Sequence, residues 1–140
     1  MAHLKLNSRA FTDKMDAYIL SCINTEEYTP EQFTTDQERL KFVFDTFKRE
    51  YCYPANLKRY GTPERCFKEW LMGLPSVVSV EYMNVSILDK ARELGSYKDT
   101  SGMSAKSIER YEDSIIAYWF TLCAQSFFRL CRKNGVNTSI

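Results

Sequence analysis

Residues 104–134 read SAKSIERYEDSIIAYWFTLCAQSFFRLCRKN, a helical stretch whose middle, Ile115 to Phe128, carries no charge. Glu109, Glu112 and Asp113 stand near its start, and Lys133, Asn134 and Gly135 close it. That order complements the helix dipole and puts glycine where helices commonly stop. Most faces of the middle are apolar, so other helices must cover it on several sides. The stretch predicts an all-α fold of about five helices, packed around this long C-terminal one.

The rest of the chain fits such a core. A length of 140 residues suits one domain. The composition, 44% hydrophobic and 14% aromatic, can fill an interior with large side chains and excludes global disorder. A net charge of +1 gives no general attraction to nucleic acid or membrane. The cysteines, Cys22, Cys52, Cys66, Cys123 and Cys131, are odd in number and none is spaced CxxC. Buried free thiols in a reducing cytoplasm are expected, rather than a disulfide framework or a zinc knuckle. Met1 to Ala10 lacks the apolar run of a signal peptide. The longest apolar run, about 14 residues broken by Thr121, Gln125 and Ser126, is too short to span a bilayer.

Residues 1–7 are expected to form a flexible arm. Ser8 suits the N-cap of a first helix reaching about Asn24, with Phe11, Met15, Tyr18, Ile19 and Cys22 inward and Asp13, Lys14 and Asp16 outward. Thr29-Pro30-Glu31-Gln32 has the form of a capping box. A second helix is expected from Asp36 to Tyr51, with Leu40, Val43, Phe44, Phe47 and Tyr51 on one stripe; Phe42 lies opposite and needs a contact of its own. Pro54 ends it, and Thr62-Pro63 opens a third helix running to about Met72, which Gly73 and Pro75 stop. Val77 to Tyr82 alternates like a strand, but its sole candidate partner is the short arm Leu4-Lys5-Leu6. A helix from Ser79 to Leu94, capped by Gly95, is preferred there.

No catalytic, metal-binding or nucleotide-binding motif stands out, and no cofactor is implied. His3, the single histidine, lies in the arm, where nothing positions it beside a nucleophile. Glu109, Glu112 and Asp113, with Glu69 or Glu81 nearby, offer paired carboxylates, but acids at a helix start are commonly dipole partners. The clearest charge feature is segregation. Residues 12–45 carry eight acids against three bases, whereas residues 48–68 carry six bases against two acids. Lys48, Arg49, Lys58, Arg59, Arg65 and Lys68 interleave there with Tyr51, Tyr53 and Tyr60. Bases among tyrosines suit an acidic protein partner or a nucleic acid. In a purely structural account, the tyrosines pack the loop and the bases face the acidic first third. Phe128 shares the thinnest side of the long helix with Ala117, Thr121 and Ala124, and is expected to mark an exposed interface.

The run Trp70-Leu71-Met72-Gly73-Leu74-Pro75-Ser76, followed by Tyr82-Met83-Asn84 and Ile87-Leu88, resembles a group of small uncharacterised proteins from bacteriophages and related mobile elements. Tyr111 to Ile116 and Phe127 to Lys133 extend the likeness over about residues 66–133. The resemblance implies a mobile-element origin and a cytoplasmic setting, and it carries no site residue. The expectation is a non-enzymatic accessory protein that binds another protein, such as a host factor. Nucleic-acid binding through residues 48–68 is the alternative, and an enzyme of unknown class the third.

Overall fold

The computed structural model describes residues 8–23, 33–73, 75–78, 87–94 and 97–140. Among these residues there are six helices: α1 Arg9–Cys22, α2 Asp36–Glu50, α3 Pro54–Tyr60, α4 Pro63–Met72, α5 Ile87–Glu93 and α6 Ala105–Lys133. The fold is all-α, and α1, α2, α4 and α5 all pack on the long C-terminal helix. The arm with His3, the sequence Thr29 to Gln32, the segment 79–86 with Glu81, and Gly95 lie outside the described residues.

Side-chain caps fix where the main helices begin. Ser8, Thr35, Thr62 and Ser104 each accept a hydrogen bond from an N–H three residues on, at Phe11, Glu38, Arg65 and Ser107. Each satisfies one of the first-turn donors that the helix itself leaves unpaired. The end of α6 is closed from the other direction. Val136 N–H donates to the Cys131 carbonyl at 2.8 Å, and Gly135 N–H to that of Arg132 at 3.3 Å. These are the paired bonds of a Schellman turn, which needs a left-handed residue; Gly135 supplies it with φ +74°.

The uncharged middle of α6 is covered as its composition requires. Trp119, Cys123, Phe127 and Cys131 are buried, with the Trp119 ring 5.9 Å from Phe11 of α1. Phe67 of α4 stacks on Phe127 at 4.3 Å, and Phe47 of α2 meets Phe67 edge-on at 5.0 Å. This aromatic column joins α2, α4 and α6. Phe42, on the far side of α2, packs at 5.1 Å against Phe33.

Four expectations are corrected. Phe128 is only 2% exposed, because Phe44 and Phe67 meet it edge-on at 5.8 and 5.6 Å; its thin side is where α2 and α4 come in. Asp16 does not face solvent. It is buried between α1 and α6, where Arg129 Nη2 donates to Oδ1 at 2.6 Å and Lys133 Nζ to Oδ2 at 3.2 Å. Arg129 Nη2 also reaches the buried Ser126 hydroxyl at 2.8 Å, so the carboxylate and guanidinium are both satisfied. Pro54 does more than stop α2: it stands in the first turn of α3, where its missing N–H has no partner to lose. Finally, Val78 makes a single antiparallel bridge to Ile23, at the end of α1, a partner the sequence reading does not offer.

Candidate interaction surface

The basic stretch spans three short pieces of chain that are tied together locally. Lys48 and Arg49 lie in the last turn of α2, Lys58 and Arg59 in the last turn of α3, and Arg65 and Lys68 on α4. Two tight reversals join the helices. At the first, Asn56 Nδ2 donates to the Tyr51 carbonyl at 2.7 Å, and Tyr53 Oη donates to the Glu50 carbonyl. At the second, Gly61 takes φ +90°, which favours glycine. Tyr51 and Tyr60 stack with ring centres 6.3 Å apart, and their hydroxyls meet at 3.2 Å. The hydrogen bond shared with Tyr60, then burial, pushes the Tyr51 phenol up to about 12. Two of the three tyrosines therefore stitch the turn, while Tyr53 stays 49% exposed.

The bases themselves are mostly unpaired. Lys48 lies 3.5 Å from Asp45 and 5.0 Å from the centre of the Phe44 ring. Arg59 lies over the Tyr60 ring at 5.5 Å. Among the described residues, Arg49, Lys58, Arg59, Arg65 and Lys68 have no carboxylate within 4.0 Å. Two acids of α2 are engaged within α2 instead, Asp36 by Arg39 at 3.3 Å and Asp45 by Lys41 at 2.7 Å. The bases thus do not turn to the acidic first third for neutralisation, Lys48 excepted. Arg49, Lys58, Arg59 and Arg65 are exposed, and Tyr60 and Lys68 are half-buried. Phe128, now placed in the core, is not part of this surface.

Three shallow grooves on the described surface differ in charge. In the one between α1 and α5, Lys90 is held by Glu93 at 2.9 Å and sits 5.7 Å from the Tyr18 ring, while Lys14 has no carboxylate within 4.0 Å among the described residues. In the one between α2 and the C-terminal residues, Lys41 and Lys48 share Asp45. The third, about 400 Å³ between α4 and α6, is lined by Arg65 and Lys68, both without a paired carboxylate, together with Thr62, Glu64, Thr121, Ala124 and Gln125. Sequence reading found Arg65 and Lys68 but not their neighbours on α6. The available signal was the run of small side chains at Ala117, Thr121 and Ala124, which allows close approach of a second helix.

The other sequence candidates separate. Glu112 accepts hydrogen bonds from Tyr97 Oη at 2.8 Å and Arg92 Nη2 at 3.4 Å, which ties α5 and its following loop to α6. Glu109 and Asp113 are exposed. Among the described residues, no three His, Cys, Asp or Glu side chains gather as a metal site. No helix there is long and apolar enough to cross a membrane. All five cysteines are free. Burial pushes the Cys22 and Cys131 thiols up to about 12 and Cys66 up to about 11, the last also raised by the Cys52 thiol beside it. Such thiols are protonated at neutral pH and are poor nucleophiles.

No protein-family model matches the chain, and searches of curated proteins and of solved structures find no relative.

Proposed function

We propose that the chain is a small non-enzymatic accessory protein of a phage or mobile element that binds an acidic partner protein in the host cytoplasm. The binding surface is the end of α2, α3 and α4. One observation carries the reading: among the described residues, five cations around a turn that two stacked tyrosines hold in shape, Arg49, Lys58, Arg59, Arg65 and Lys68, have no carboxylate within 4.0 Å. Clustered charge of one sign speeds encounter with a partner of the other, and a pre-shaped turn loses little entropy on binding. The exposed Tyr53 adds a ring with an apolar body and a polar tip, the side-chain type enriched at interfaces.

A second reading, nucleic-acid binding by the same surface, is favoured by that exposed ring among cations, which suits stacking on a base. Two measurements separate the readings. In a pull-down from host lysate, Lys58→Glu, Arg59→Glu and Arg65→Glu together should abolish capture of the partner while leaving the helical circular dichroism unchanged. Unchanged capture by the folded triple variant removes this surface from the interface. A gel shift that weakens steeply with salt, with no protein captured, decides for nucleic acid.

A further inference from the structure

In the groove between α4 and α6 both lining cations, Arg65 and Lys68, lack a carboxylate within 4.0 Å among the described residues, whereas the α1/α5 groove pairs Lys90 and leaves Lys14 without one, and the α2 groove pairs both Lys41 and Lys48. Ala124 is buried and Thr121 half-buried, so the α6 side presents small side chains between Gln125, which is exposed, and the bases of α4. The Thr121 hydroxyl already donates to the Ala117 carbonyl of its own helix at 3.1 Å, and Thr62 Oγ1 accepts the Arg65 N–H at 3.2 Å. The donors left for a ligand are therefore the Arg65 guanidinium, the Lys68 ammonium and the Gln125 amide. A forked guanidinium and an ammonium suit a carboxylate, which can accept from both at once. The small side chains of Ala124 and Thr121 suit a short aliphatic stem.

We propose that this groove is the anchor point of the basic surface and takes a glutamate or aspartate side chain of an acidic peptide segment. The proposal rests on the protein-binding reading above and specifies the partner's chemistry. Glu64, which also lines the groove, selects against crowding by several negative charges: one carboxylate is drawn in, while a dense run of phosphates is opposed. Lys58 and Arg59, on α3, are not among its lining residues and contribute long-range attraction instead.

The test uses a short fluorescein-labelled peptide of alternating glutamate and alanine, with binding followed by anisotropy. Gln125→Trp fills the groove and changes no charge, and Arg65→Gln with Lys68→Gln removes its cations. Both should weaken binding by about tenfold or more, the loss expected when a charge-assisted contact is removed or blocked. Lys58→Gln with Arg59→Gln should weaken it only about two- to threefold, as loss of steering does. If Gln125→Trp fails to fold, Gln125→Glu tests the same rim by repulsion. Unchanged binding by the folded rim variant, or equal losses in the two charge doubles, would overturn the groove in favour of diffuse charge. A single-stranded oligonucleotide of matching charge that binds more tightly, with the same rim dependence, would overturn the carboxylate assignment. If the peptide fails to bind wild type while the Glu triple variant still abolishes partner capture, the groove is refuted and the surface stands. If capture also survives the triple variant, both fall.

Discussion

Removing the Asp16 carboxylate should be among the most damaging single changes to the packing of α1 on α6. The side chain is 9% exposed and meets Arg129 through both oxygens, at 2.6 and 3.5 Å, with Lys133 at 3.2 Å. Taking one partner from a buried ion pair typically costs about 3–5 kcal/mol, because the remaining charge is stranded. Here Arg129 is 30% exposed and Lys133 56%, so water can resolvate both. The expected cost of Asp16→Ala is therefore lower, about 2–3 kcal/mol. Asp16→Asn keeps the shape and should lose about 1.5–2 kcal/mol, the charge-assisted part of the hydrogen bonding. In a double-mutant cycle with Arg129→Ala, the coupling should be about 1–3 kcal/mol. Urea denaturation followed by far-ultraviolet circular dichroism reads all of these. A loss below about 0.5 kcal/mol for Asp16→Ala, the range of an ordinary surface change, would show that the pair does not hold α1 in place.

Other outcomes follow from the same structure. Trp119→Ala should cost about 3–5 kcal/mol, since the residue is fully buried; a loss under about 1 kcal/mol would show it is not a core side chain. Trp119→Phe should cost much less, because the indole N–H has no hydrogen-bond partner among the described residues to forfeit. The buried thiols set an alkaline limit. The folded values of Cys22 and Cys131 lie above the ordinary 9.0, so their contribution is intact below pH 9 and is lost as pH rises toward about 12. Each should remove about 1.4 kcal/mol of stability per pH unit in that window, and a urea midpoint unchanged between pH 8 and pH 10.5 would contradict their burial.

Much of the architecture was legible because it is written in local signals. Ser8, Thr62-Pro63 and the closing Lys133-Asn134-Gly135 mark helix ends through bonds that span only a few residues. What was missed depends on partners distant in sequence. Asp16 shares a ridge of α1 with Ile19, yet a carboxylate reads as outward until Arg129, 113 residues on, is known to face it. The small neighbours of Phe128 read in sequence as a bare side, whereas in the fold they make room for Phe44 and Phe67. Helix α3, seven residues long, is too short for a periodic pattern, and in sequence Pro54 signals a stop more plainly than a start. The basic stretch itself was visible in composition. Which of its bases pair was not, because pairing depends on which way each helix turns, and the α6 half of the groove lies more than 50 residues from Arg65 and Lys68.

The claim that the end of α2, α3 and α4 form the binding surface is tested most directly by hydrogen–deuterium exchange of the protein free and bound to its captured partner. Amides that fray or open locally in the free protein should become protected where the partner sits. Protection concentrated in residues 48–68, extending to the Thr121–Gln125 stretch of α6, is the expected result. Protection confined to α1 and α5, with residues 48–68 unchanged, would contradict it.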